Sequence, residues 1–160
     1  MEDNYLFDRV CKLIDKFESE HEDWWIYPVP KALSGVYLDL MHKDDGVPVV
    51  SENTLIRDAL LEITRKGLGM TAVVNAEGQL IGIYTDGDLR RTLDLEIDIR
   101  TTTITSVMNK TPKTIRPQLL AAEAVALMEE KKVNGVIVVD AQRRPVGALN
   151  MHDLLKAGVV

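Results

Sequence analysis

The chain repeats itself after 65 residues. Shifted by that interval, residues 72–75 (AVVN) fall on residues 137–140 (IVVD), and further stretches align on both sides without a gap. Upstream, Leu40-Met41 pairs with Val107-Met108 at a spacing of 67, so the first copy carries two extra residues near its start. Because two copies are too few for a solenoid, we predict a pseudo-twofold pair of repeats that buries one shared core.

Both copies show the same series of elements. In the second copy, residues 119–128 have helical spacing of apolar positions, residues 136–139 and 145–149 are short strand-like runs, and a helix starts at Met151. The first copy matches, with a helix near 54–66, strands at 71–75 and 79–84, and a helix from about 86. The sequence therefore predicts an α+β fold of two repeats, each running strand, helix, strand, strand, helix.

The predicted divisions are residues 1–31, 32–97 for repeat 1 and 98–160 for repeat 2. The first 25 residues hold eight acidic and three basic residues, a net charge of −5 out of −6 for the chain. Leu6, Val10, Ile14 and Phe17 share one face of a predicted helix there. That helix either packs on the repeats for stability or docks on another chain.

Composition limits the class of protein. The chain is 46% hydrophobic and 28% charged, which is typical of a soluble globular protein. No apolar run is long enough to span a bilayer, which takes roughly 18–20 residues, and the single cysteine, Cys11, cannot form an intrachain disulfide. The charge is not basic enough for a nucleic-acid partner. We expect a cytoplasmic protein with neither a membrane nor a nucleic-acid partner.

A short motif closes each repeat at a strand-to-helix junction. Gly82, Thr85 and Asp88 in the first copy correspond to Gly147, Asn150 and Asp153 in the second. A helix start offers unpaired amide groups to a phosphate, Thr85 can donate to an anion, and Asp88 can accept from ribose hydroxyls. Gly82 would let a ligand approach the backbone closely. The same spacing also fits helix capping, with an acid at the third helical position, and both roles can hold together.

Catalytic chemistry is not indicated. The three histidines, at positions 21, 42 and 152, do not cluster by spacing, and no metal-ligand pattern occurs. Paired carboxylates alone do not make an acid/base site. We therefore expect neither a catalytic residue nor a metal site.

These features resemble a tandem CBS-domain pair, also called a Bateman module. The resemblance is closer still to the C-terminal region of bacterial arabinose 5-phosphate isomerases, and it rests on residues 64–70 (TRKGLGM), 85–91 (TDGDLRR) and 151–160 (MHDLLKAGVV). It covers about residues 38–160 and leaves residues 1–31 unmatched. Since the isomerases carry their catalytic sugar-isomerase domain ahead of the pair, the resemblance implies a regulatory module and not an enzyme.

The resemblance also implies ligand-binding residues and a ligand. Two clefts between the copies would hold a nucleotide or nucleotide-sugar. The family feeds the pathway to Kdo, the acidic sugar of lipopolysaccharide, so CMP-Kdo is our specific hypothesis and an adenine nucleotide the alternative. The residues carried over are Gly82, Thr85, Asp88, Arg90, Arg91, Met70 and Thr71 from the first copy, and Gly147, Asn150, His152, Asp153, Thr111 and Val136 from the second.

A second function class stays open. The pair can serve as a ligand-free dimerisation scaffold of an isomerase, with Leu89, Leu93, Leu154 and Leu155 supplying an apolar face on paired helices. We expect a homodimer through these helices in either case.

Overall fold

The computed structural model describes residues 40–159, together with Lys12, Asp15, Lys16 and Ser19. Those four isolated residues are helical and exposed. The remainder of the acidic helix predicted over residues 1–25, and the segment up to residue 31, lie outside the described residues.

The elements follow one another in the order predicted for each repeat. The first repeat consists of β1 Val49–Ser51, α1 Ile56–Lys66, β2 Met70–Val74, β3 Leu80–Thr85 and α2 Asp86–Leu93. The second consists of β4 Thr114–Ile115, α3 Ala121–Lys131, β5 Gly135–Val139, β6 Pro145–Asn150 and α4 Met151–Lys156. Every element of the second repeat starts 65 residues after its counterpart, so the predicted α+β repeat is confirmed.

Each repeat forms a three-stranded sheet with the same topology. β1 pairs parallel with β2, and β2 pairs antiparallel with β3; β4, β5 and β6 repeat this arrangement. Even the irregularity is repeated, because the register shifts between Val73 and Val74 in one sheet and between Val138 and Val139 in the other. In each repeat the last helix, α2 or α4, starts directly after the second strand of the hairpin.

The segment that leads into each repeat pairs with the sheet of the other repeat. The His42 amide donates to the Ala148 carbonyl at 2.8 Å and the Ala148 amide donates back at 3.0 Å. In the same way Asn109 exchanges two main-chain hydrogen bonds with Ile83, at 2.8 and 2.9 Å. The two extra residues of the first copy fall after Met41, where a 3-10 turn spans Asp44–Gly46. This exchange ties the two repeats into one body.

Two glycines make room for the exchanged segments. A Cβ atom at Gly82 would lie 2.4 Å from Sδ of Met108, and one at Gly147 would lie 2.3 Å from Sδ of Met41. Both distances are far below van der Waals contact, so only glycine lets each methionine cross the neighbouring strand. The prediction that Gly82 gives a ligand access to the backbone is thus wrong, because the Met108 side chain fills that space. The Met41 side chain does the same at Gly147, which was carried over as a ligand-binding residue.

The core is shared between the repeats, as predicted. One cluster joins Met70, Ala72 and Ile83 of the first sheet to Ile137 and Ala148 of the second. Another places Leu40 and Met41 among the buried residues of the second repeat. Because burying one such aliphatic side chain contributes about 1.5–3 kcal/mol, neither repeat is complete without the other.

The predicted dimerisation face is only partly exposed. Leu154 is fully buried, so its assignment to an exposed face is wrong, whereas Leu89 is half-buried and packs partly on the core of the first repeat. Leu93 and Leu155 do face outward.

The part of the chain that the structure describes contains no helix with the length and apolar character needed to span a membrane.

Candidate functional site

The first strand-to-helix junction is built around Asp88. Its carboxylate Oδ2 accepts from the Thr85 amide and from the Thr85 hydroxyl, both at 2.9 Å, while the Asp88 amide donates to Thr85 Oγ1 at 3.3 Å. This is a complete capping box at the start of α2. The capping role considered from the sequence is therefore present, and it orients the carboxylate for any further partner.

The other oxygen of Asp88 is paired with an arginine. Arg91 Nη2 donates to Asp88 Oδ1 at 2.5 Å, one helical turn further along α2. Asp88 is buried, whereas 74% of the Arg91 side chain is exposed. The mobile partner of this pair is thus the arginine, which can turn toward a ligand while the carboxylate stays in place.

A buried polar chain fixes the helix behind Asp88. The Tyr84 phenol donates to Thr92 Oγ1 at 2.9 Å, and the Thr92 hydroxyl donates to the Asp88 carbonyl at 2.8 Å. Burial raises the pKa of Tyr84; the hydrogen bond to Thr92 opposes the shift and the Asp88 charge adds to it. Tyr84 therefore stays a neutral donor that locks β3 to α2.

A cleft of about 570 Å³ opens beside this junction, and we call it the first cleft. Both repeats contribute: it is lined by residues 68–70, 85–88 and 131–135, together with Ile83, Arg91, Asn109 and Lys113. Four of the lining side chains are basic, namely Arg91, Lys113, Lys131 and Lys132, against the carboxylates of Asp86 and Asp88. Such a mixture offers acceptors for hydroxyl groups and cations for an anion.

The second junction has the same backbone and different partners. Asn150 Oδ1 accepts from the Asp153 amide at 2.8 Å, which caps α4. The Asp153 carboxylate does not bond to its own helix in the manner of Asp88. Instead His42, from the segment leading into the first repeat, donates from Nε2 to Asp153 Oδ2 at 2.8 Å. The sequence placed no partner on Asp153.

A smaller cleft of about 380 Å³, here the second cleft, lies at this junction. It is lined by Leu40, Met41, His42, Asp153, Lys156 and Ala157. Lys156 is its only permanently charged cation among these residues. The two clefts therefore differ in size and in charge although their backbones repeat.

Several of the residues proposed from the sequence do not line either cleft. Arg90, His152 and Thr111 are exposed side chains, with Thr111 bonded to Asn109 next to it. Thr71 and Val136 are fully buried in the sheets. Of the other proposed residues, Met70, Thr85, Asp88 and Arg91 line the first cleft and Asp153 lines the second.

Sequence reasoning missed the lysines of the first cleft. Lys131 and Lys132 lie at the end of α3 and in the residue that follows it, and Lys113 precedes β4, so none of the three belongs to the repeated junction motif. The end of α3 in one repeat faces the start of α2 in the other, a contact that follows from the packing of the repeats and not from the spacing within one of them. Among the described residues no group of histidine, cysteine and carboxylate side chains is arranged to hold a metal ion.

Two βαββα repeats that exchange their lead-in segments and form two clefts are the architecture of a domain pair, and the comparison with family models gives the same result. The CBS domain family model matches residues 36–95 and 104–160. The chain belongs to the CBS domain family and contains a tandem pair of these domains.

The similar curated proteins are isomerases. The chain is 57% identical over 122 residues to arabinose 5-phosphate isomerase KdsD of Pseudomonas aeruginosa, and 46% identical over 122 residues to KdsD of Escherichia coli. In both cases the match covers 76% of this chain and 37% of the relative. The chain thus spans little more than a third of the length of these relatives.

Solved structures share the fold. The CBS domain pair of protein MJ0100 superposes with a TM-score of 0.68 at 23% identity, covering 78% of this chain and 94% of that one. CBSX2 of Arabidopsis thaliana superposes with a TM-score of 0.62 at 23% identity, covering 76% of this chain and 93% of that one.

Proposed function

We propose that this CBS pair is a regulatory module that binds a nucleotide or nucleotide-sugar in the first cleft and controls a phosphosugar isomerase. The observation that carries the proposal is the fixed, buried Asp88 carboxylate at the mouth of a cleft rimmed by Arg91, Lys113 and Lys132. A ribose and an attached anion need these two kinds of group side by side.

Binding would exchange the partners of Asp88. The ribose hydroxyls take the place of Arg91 on Oδ1, and the released guanidinium turns to the phosphate. Oδ2 keeps its bonds to Thr85, so the cap of α2 survives the exchange. The exchange leaves no buried acceptor unpaired, because the ribose hydroxyls replace Arg91 on the buried Asp88 Oδ1 and the largely exposed guanidinium gains the phosphate.

The similar proteins support the class of ligand and leave its identity to experiment. The MJ0100 pair was crystallised with 5′-methylthioadenosine and S-adenosyl-L-methionine, and CBSX2 with AMP. The KdsD relatives act on arabinose 5-phosphate according to their name. For this chain CMP-Kdo is the proposed feedback ligand and an adenine nucleotide the alternative, with regulation and not catalysis as its role.

Titration calorimetry tests the proposal. The chain is titrated with CMP-Kdo and separately with AMP, and we expect binding heat with one of them. Asp88→Asn keeps an acceptor for the cap and removes the charge, so affinity falls roughly ten- to hundredfold, as expected for a lost charge-assisted bond of about 1.5–3 kcal/mol. Thermal melting confirms that the variant is folded. Absence of heat with both ligands at millimolar concentration contradicts the proposal.

An assay of the chain on arabinose 5-phosphate tests the regulatory role. We expect no isomerisation, because the residues that match the KdsD relatives form the CBS pair and cover only 37% of each relative. Turnover that survives repurification, and that disappears in a variant of this chain, contradicts a purely regulatory role.

The scaffold function has one observation in its favour. Leu93 in the last turn of α2 and Leu155 in the last turn of α4 expose 67% and 53% of their surface, so both can contact a second chain. Sedimentation of the wild type and of Leu93→Glu with Leu155→Glu decides whether these residues hold a dimer. A dimer that dissociates in the double variant, in a chain that binds no nucleotide, favours the scaffold.

A further inference from the structure

The two clefts receive different residues from the exchanged lead-in segments. Asn109 reaches the first cleft and His42 the second, at the matching positions of the two repeats. Asn109 uses its side-chain oxygen within its own loop, where Thr111 donates to it from the amide at 2.9 Å and from the hydroxyl at 3.1 Å. His42 instead donates to Asp153 at 2.8 Å. We infer that His42 closes the second cleft to a nucleotide, so that each chain takes one nucleotide, in the first cleft.

The inference rests on the proposed function and adds that the second cleft takes no nucleotide. In a ribose site the junction carboxylate must accept from the sugar hydroxyls. In the second cleft that carboxylate already accepts from an imidazole that comes from a distant part of the chain. The imidazole occupies Oδ2 and itself lines the second cleft, so a ligand that reaches Asp153 has to share the carboxylate with the ring or displace the ring.

His42 is held far more firmly than Arg91, its counterpart as a partner of the junction acid. The main chain of His42 makes two hydrogen bonds to Ala148, and the preceding Met41 side chain crosses Gly147. A short side chain on a fixed backbone has few alternative positions. Arg91 is a long, exposed side chain that can leave Asp88 without moving the backbone.

Charge and size favour the same cleft. The first cleft has about 570 Å³ and brings an arginine and three lysines to its rim; the second has about 380 Å³ and a single lysine, Lys156. An anionic ligand gains more from the first set of cations, and the gain is largest at low salt. The Thr85 hydroxyl of the first junction has no hydroxyl counterpart in the second, where Asn150 uses its oxygen as a cap.

Calorimetric stoichiometry tests the inference, with CMP-Kdo and AMP as the two probes. We expect one site per chain in the wild type, loss of at least tenfold in affinity for Asp88→Asn, and unchanged affinity for its matched control Asp153→Asn. His42→Asn places in the second cleft the residue type that the first cleft has at the matching position. We expect this variant to bind two equivalents up to millimolar ligand, with thermal melting as the check of folding.

Each other result has a defined meaning. Two sites in the wild type overturn the inference while the proposed function stands. Affinity lost in Asp153→Asn and kept in Asp88→Asn overturns both the inference and the assignment of the nucleotide to the first cleft. A folded His42→Asn variant that still binds one equivalent overturns the role of His42. No heat from any of the four chains with both probes overturns the proposed function and the inference together.

Discussion

Gly147→Ala probes the exchange of lead-in segments that brings His42 to the second cleft. The new Cβ would lie 2.3 Å from Sδ of Met41 and 3.1 Å from its Cγ and Cε. Since carbon and sulfur atoms pack at about 3.5–4.0 Å, the sulfur has to retreat by more than about 1 Å. Overpacking of this kind costs about 1–3 kcal/mol, and alanine returns up to about 1 kcal/mol by restricting the unfolded chain. We expect a net loss of about 1–2 kcal/mol.

Urea unfolding measures this loss, and a double-mutant cycle assigns it. With a slope of about 1–3 kcal/mol per molar urea, the loss of about 1–2 kcal/mol lowers the midpoint by roughly 0.3–2 M. Met41→Ala removes the clashing atoms, so Gly147→Ala then costs nothing and the coupling energy is about 1–2 kcal/mol. Gly46→Ala is the control, because its new Cβ would meet only the His42 side chain, with Cβ at 3.4 Å and Nδ1 at 3.9 Å. The placement of Met41 is refuted if Gly147→Ala is as mild as Gly46→Ala or shows no coupling.

Three further predictions concern single groups. Tyr84→Phe removes one buried hydrogen bond and lowers the free energy of unfolding by about 0.5–1.5 kcal/mol. Because the pKa of Tyr84 is raised in the folded protein, wild-type stability falls as the pH rises past about 10. Urea unfolding at a series of pH values should show a smaller loss of stability for the variant. The hydrogen bond and charge of Lys66, with the charge of Arg65, lower the pKa of Asp45. The stabilisation from the Asp45–Lys66 ion pair is therefore lost only as the pH falls below the usual aspartate range. Lys66→Gln should raise the pKa of Asp45, measured by NMR titration of its carboxyl carbon. Lys113→Gln combined with Lys132→Gln weakens nucleotide binding severalfold and flattens its salt dependence in calorimetry.

The repeat made most of the fold predictable, since two copies of one pattern constrain each other. The end of β3 at Thr85 and the cap formed with Asp88 follow from local sequence, where spacing along a single helix decides the contacts. The exchange of lead-in segments does not follow, because pairing Leu40-Met41 with Val107-Met108 does not say which sheet either segment joins. α4 is only six residues long, too short for periodicity to separate buried Leu154 from exposed Leu155.

The difference between the clefts comes from positions at which the two copies of the repeat carry different residues. Tyr84 and Thr92, which tie the Asp88 carbonyl to the sheet, become Leu149 and Ala157 in the second copy, and neither can form that polar chain. The first junction is thus rigid by itself and leaves its carboxylate available once Arg91 moves. At the second junction the Asp153 carboxylate accepts from His42 of the other repeat's lead-in segment, so Asp153 takes part in the contact between the repeats. Under the proposed function the first junction meets the ligand, while the second holds the repeats together through His42 and Asp153, which gives a reason for duplication beyond the shared core.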